Sequence, residues 1–145
     1  MFKALAIAAA LVAATPAFAQ TVDDVNAQIE SLLGSHEIFG TAIQAVQEGL
    51  VNHEIEKIAG YIPFGEPIMV NGEPVTIADE ADLAARFDEL FNEKVVNAVT
   101  DQQYETLFVN QDGIMFGEGE LWLGGVCIDE ACNDFFVNII AINNQ

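Results

Sequence analysis

LFVNQDGIMFGEGELWLGGVC, residues 107–127, is a run of apolar and aromatic side chains punctuated by turn formers. It reads as strand. Tyr104 to Asn110 forms one arm, Gln111-Asp112-Gly113 a turn, and Ile114 to Gly124 the next arm. Asp followed by Gly is a combination that a tight reversal favours. Downstream, Phe135 to Ile142 is apolar apart from Asn138 and reads as the last strand. The final third of the chain is therefore expected to be a long antiparallel meander.

Working back towards the N-terminus, IMVNGEPVTI has two β-prone arms around Asn71-Gly72, a strong short hairpin signal. Between this hairpin and the meander, Asp79 caps a helix with Asp82 at the capping-box position. Leu83, Phe87, Leu90 and Phe91 share one face of it, and Val95, Val96 and Val99 extend the apolar pattern past Asn92. The first half of the chain is helical in pattern. Thr21 and Asp24 form a capping box before a helix whose apolar face is Val22, Val25, Ile29 and Leu32, and Gly34 stops it. Ser35 caps the next helix, with a core stripe of Phe39, Ala42, Ile43, Val46 and Leu50. Gly49 and Asn52 mark a break before a short third helix carrying Ile55, Ile58, Ala59 and Ile62, which Pro63 ends. Segregated helices and antiparallel strands mean α+β.

The chain has 145 residues, which suits one domain. Apolar residues make up 52% and charged residues 19%, too apolar a balance for a disordered chain. Acidic residues number 23 against 4 basic ones, a formal net charge of −19. Phosphate binding needs clustered Lys and Arg, so nucleic acid is not an expected partner. An anionic membrane surface is disfavoured for the same reason.

The N-terminus reads as a secretory signal peptide over residues 1–19. Lys3 supplies the positive charge, Ala4 to Ala14 is an uninterrupted apolar run, and Ala17-Phe18-Ala19 is an A-x-A cleavage site. The run is shorter than the roughly 20 residues a spanning helix takes. An uncleaved anchor is the alternative reading. Cleavage leaves residues 20–145 as a single domain in the periplasm or the medium, with no membrane association. The two cysteines, Cys127 and Cys132 in CIDEAC, then read as a short structural disulfide contributing roughly 2 kcal/mol. Free thiols and redox chemistry are weaker readings, because the spacing is not C-x2-C. No metal is expected either. His36 and His53 lack ligand spacing to the cysteines, and the alternating acidic calcium loop is missing from the sequence.

IAGYIPFGEPIMVNGEPVTI, LAARFDELF and above all LFVNQDGIMFGEGELWLGGVC, with its G-x-G-E-x-W at Gly117 to Trp122, resemble the NTF2-like superfamily. Within it, the chain is similar to small exported bacterial proteins of unknown role. The resemblance implies N-terminal helices packed on a strongly curved antiparallel sheet, with a conical pocket between them. It also implies homodimerisation across the outer sheet face. Superfamily members include dehydratases, isomerases, transport factors and immunity proteins, so fold does not choose a function.

Within such a cone, Glu118 and Glu120 are the acid–base candidates. Read as one strand, they share a parity with Ile114, Phe116 and Trp122. On a concave face, burial would raise their pKa values and suit a proton shuttle. On a convex face they are solvated. Tyr61, Phe64, Phe87, Phe91, Met115 and Trp122 are the candidate pocket lining, with ordinary core as the bland alternative. His36 and His53 are expected at the surface. A Ser-His-Asp set fails because Ser31 and Ser35 lie outside any G-x-S-x-G. Gly117-Glu118-Gly119 is not a phosphate loop, since no helix follows, and its glycines are expected to form a bulge or a close backbone approach in a curved strand.

The acidic residues are spread along the chain, at Asp23-Asp24, Asp79 to Asp82 and Asp129-Glu130. They read as a solvated anionic surface or as one that steers a cationic partner. The expected function is a non-enzymatic exported domain, without cofactor, that binds a small apolar ligand or a cationic exported protein. The alternative is a small dehydratase- or isomerase-like enzyme using Glu120 or Glu118.

Overall fold

The computed structural model of the chain describes residues 19–145. The signal-peptide reading falls on residues 1–19, which but for the last lie outside the described residues.

Local hydrogen bonds set the helix boundaries. Thr21 caps α1 (Val22–Leu33) with a full capping box to Asp24, and Gly34, at φ 103°, closes it with its N–H on the Ile29 carbonyl. Ser35 accepts from the Ile38 N–H at the start of α2 (His36–Val51). His53, at φ 56°, turns the chain into α3 (Ile55–Ala59). β1 (Pro67–Val70) and β2 (Glu73–Thr76) form the hairpin, with Asn71 at φ 52° and Gly72 at φ 83°. Positive φ at both central residues matches the right-handed twist of the arms.

Asp79 caps α4 (Glu80–Leu90). The apolar pattern continuing past Asn92 belongs to a separate helix, α5 (Glu93–Thr100), because the Asn92 side chain accepts from the Val95 N–H and starts a new one. Tyr104–Thr106 is a turn of 3-10 helix rather than the start of a strand. β3 (Phe108–Asn110), β4 (Gly113–Phe116), β5 (Leu121–Cys127) and β6 (Phe135–Ile142) follow.

The arm read as continuous from Ile114 to Gly124 is two strands, with Gly117–Glu120 reversing the chain between β4 and β5. Gly117 at φ 60° and Gly119 at φ 113° adopt backbone that L side chains avoid, so these glycines make a turn rather than a bulge. The sheet, expected to be antiparallel, is mixed. Its order is β2-β1-β6-β5-β4-β3, and β1 runs parallel to β6. No hairpin links these two strands, and the helices between them leave the direction of pairing free. The sheet is open, with β2 and β3 at its edges.

Helices α1, α2 and α5 contact β3, β6 and β5. The face beneath them carries the rows Val109–Ile114–Leu123–Ile139 and Phe116–Leu121–Ile142, all buried. The opposite face carries Phe108, Met115, Trp122, Ala141, Met69 and Pro74, each the register partner of the next across all six strands. Phe108 and Met69 are 50% and 43% exposed, so this row has no cover among the described residues.

Candidate functional site

A groove of about 830 Å³ opens between β6 and the segment that follows α3. Pro63 cannot continue the short helix, so the chain leaves it as an irregular strap over Gly60–Glu66. The Tyr61 carbonyl accepts from the Ile139 N–H at 2.8 Å and ties the strap to β6. Gly65, at φ 83°, turns the strap back so that its N–H reaches the Ile77 carbonyl at 3.0 Å. Ile38 of α2 forms a further wall, and four consecutive residues of β6, Phe135 to Asn138, form the other side.

The lining is apolar with few polar groups, the usual make-up of a binding site. Ile38 and Phe136 are 41% and 46% exposed. Tyr61 and Phe64 are half-buried. Burial pushes the Tyr61 phenol above its ordinary value, so it stays a neutral hydroxyl at physiological pH. Asn138 is only 5% exposed, and its side-chain amide makes no hydrogen bond to another described residue. The amide is not sealed from solvent, so it can pair with water or with a group in the groove.

The other candidates lie elsewhere. Phe87 and Phe91 are core residues, 2% and 3% exposed, with ring centroids 5.0 Å apart. Met115 and Trp122 pair on the outer sheet face, where Trp122 also meets Phe108 edge-on at 6.3 Å. Counting parity through an unbroken strand put Trp122 on the side of Ile114 and Phe116. The reversal at Gly117–Glu120 puts it on the other.

The same reversal separates the two carboxylates. Glu118 is exposed and Glu120 is 9% exposed. Glu120 folds back on its own turn, where its Oε2 accepts from the Glu118 N–H at 2.6 Å and its Oε1 lies 3.6 Å from the Lys94 Nζ. The Glu120 carbonyl also accepts from the Asn143 N–H at 2.8 Å. Neither carboxylate lines the groove. The His36 ring bonds to Glu30, and the exposed His53 ring meets Phe87 edge-on; neither lines the groove.

Cys127 and Cys132 stand at disulfide distance, with Cα atoms 4.8 Å apart. No group of three or more His, Cys, Asp or Glu among the described residues is placed to hold a metal ion. No described helix is long and apolar enough to cross a membrane.

Sequence reading found Tyr61 and Phe64 but missed Ile38, Phe136, Val137 and Asn138 as lining residues. One signal was present for Asn138, the single polar residue in an otherwise apolar strand. The chain is an α+β fold with an open, mostly apolar groove beside a mixed sheet. No protein-family model, curated protein or solved structure matches the chain.

Proposed function

We propose that the chain is an exported NTF2-like binding domain that holds an apolar ligand or a segment of another exported protein in the groove, without catalysing a reaction. The observation that carries this reading is an apolar lining that includes one amide, Asn138, with no hydrogen-bond partner among the described residues. Apolar walls supply affinity and a single amide supplies orientation. Export is supported by the apolar N-terminus in the sequence and by the cysteine pair at bonding distance. The acid–base alternative needs Glu120 or Glu118 in the pocket; neither lines the groove, and the engagement of Glu120 with its own turn supports binding instead.

The test is titration with a neutral apolar dye, Nile red, followed by Phe136→Asp and Asn138→Ala. Phe136 is exposed, so its replacement leaves the core intact. Dye binding weakened about tenfold by Phe136→Asp is the expected result, roughly 1.4 kcal/mol of contact. Unchanged binding in both variants would sink the assignment to this groove.

A second reading, homodimerisation through the outer sheet face, is favoured by the apolar row from Phe108 to Pro74. Contiguous exposed apolar surface of this kind marks interaction sites.

A further inference from the structure

We infer that the groove is a strand-addition site: its occupant is an extended, basic peptide segment whose backbone pairs with the open edge of β6 at Phe135 and Val137. This rests on the reading of the groove as a binding site and specifies the class of occupant.

The ladder geometry carries the inference. In an antiparallel pair, successive residues alternate between those that bond to the partner strand and those whose N–H and C=O point away from it. The Ile139 N–H donates to the Tyr61 carbonyl, so Ile139 points away from β5. Val137 and Phe135 lie two and four residues before it, opposite Gly125 and Cys127 with no bulge between, and therefore point the same way. The Ile128 N–H bond to the Asp134 carbonyl, at 2.8 Å, confirms the alternation, since Asp134 has the opposite parity and faces the β5 side.

β1 covers that side of β6 only at Ala141 and Ile142. The strap covers Ile139. From Val137 back to Phe135 the edge faces the groove, and no other described backbone group outside the strand ladder is bonded to it. Val137 is 4% exposed, which makes unpaired backbone there costly. The lining agrees. Four consecutive residues of β6 reach the groove, although alternate ones point to opposite faces of the sheet, so the groove runs along the strand's edge.

Donors and acceptors repeating about every 6.8 Å along an edge are matched by another extended backbone better than by a compact ligand. The Asn138 amide, unpartnered beside this edge, suits a peptide group as well. Charge selects the peptide. Glu66 lines the groove and Asp134 precedes the open edge, while none of the described basic side chains does either. Lys57, Arg86 and Lys94 each have an acidic partner within ion-pair distance. A second copy of this strongly acidic chain would be repelled where a basic segment is attracted.

The probe is a seven-residue peptide alternating lysine and valine, capped at both ends and added to the folded domain. Controls are its counterpart with glutamate for lysine, one form N-methylated at every valine, and one N-methylated at every lysine. The lysine peptide should bind, slow hydrogen exchange at the Val137 and Phe135 amides, and lose about tenfold or more in affinity in at least one N-methylated form. The glutamate peptide should not bind. The N-methylated peptides test backbone pairing without altering the protein.

Peptide binding with unchanged exchange at Val137 and Phe135, or with full affinity in both N-methylated forms, would mean surface charge alone and overturn the inference. Nile red binding without peptide binding would overturn it while leaving the groove reading intact. Binding of neither probe would overturn both. A dimer that already protects the Val137 amide without peptide would reassign the edge to a second copy.

Discussion

Glu120 and Asn138 are the two polar residues in the described core, and they stand in opposite situations. Glu120 is satisfied by the Glu118 N–H and by nearby Lys94. Asn138 has no side-chain partner. Removing a buried acceptor that serves a backbone donor costs about 1–3 kcal/mol, so Glu120→Ala should lower stability by that amount. Glu118→Ala, on the exposed side of the same turn, should change it by less than about 0.5 kcal/mol. Urea unfolding of the two variants checks this; equal effects would show that Glu120 does not hold the turn. A second residue-scale prediction concerns acid. The His36 side chain and backbone N–H both bond to Glu30 and hold its carboxyl below the ordinary 4.5. A carboxylate depressed in the folded state adds stability above its unfolded value and loses it as pH falls through the folded one. Glu30→Gln should therefore flatten part of the acid limb of a stability–pH curve and leave the neutral region almost level. An unaltered acid limb would remove Glu30 from the account.

Elements meet most closely where β4 starts against β5. Gly113 sits at φ 147°, and a side chain there would overlap the Leu123 carbonyl oxygen. Backbone cannot move aside as a flexible side chain can, so Gly113→Ala should cost more than about 3 kcal/mol or prevent folding. Gly40, inside α2 with nothing near its missing Cβ, is the contrast. Gly40→Ala should stabilise by about 0.5–1 kcal/mol, since alanine is the better helix former. Thermal melts of the pair measure both signs. The strap belongs to this scale too. Pro63 and Gly65 make the strap irregular, and irregular backbone is what leaves part of a strand edge uncovered.

At the scale of the molecule, charge and shape oppose each other. Residues 20–145 carry three basic and 23 acidic side chains, a formal charge of −20. Two copies meeting through the row from Phe108 to Pro74 would gain apolar burial and suffer repulsion. Salt shortens the Debye length from about 14 Å at 0.05 M to about 4 Å at 0.5 M, so pairing should strengthen with salt over that range. Trp122→Glu, in the middle of the row, should leave a monomer at every salt concentration. Sedimentation at both ends of the range decides it, and a monomer throughout in the unaltered chain would retire the dimer reading.

The sequence by itself determined whatever depends on a few neighbouring residues. Thr21, Ser35 and Asp79 bond to N–H groups three residues on, and Asn71-Gly72 supplies its own turn geometry. The α+β class and the core stripes of α2 and α4 followed from periodicity in the same local way; in α1 only Val25 and Ile29 are buried, while Val22 and Leu32 of the expected face are exposed. Tyr61 and Phe64 were named by residue type alone, in a set whose other four members lie away from the groove. Tertiary structure alone decided three things. The turn at Gly117–Glu120 sent Trp122 to the outer face and Glu120 back onto its own loop. β1 paired in parallel with a strand about seventy residues away. Together with the strap, that pairing covered one end of β6 and left the other open beside Phe135 and Val137. The physical reason is common to all three. A short-range hydrogen bond is specified by the residues that make it, whereas register and edge coverage depend on which distant strands meet, and residue spacing carries no record of that.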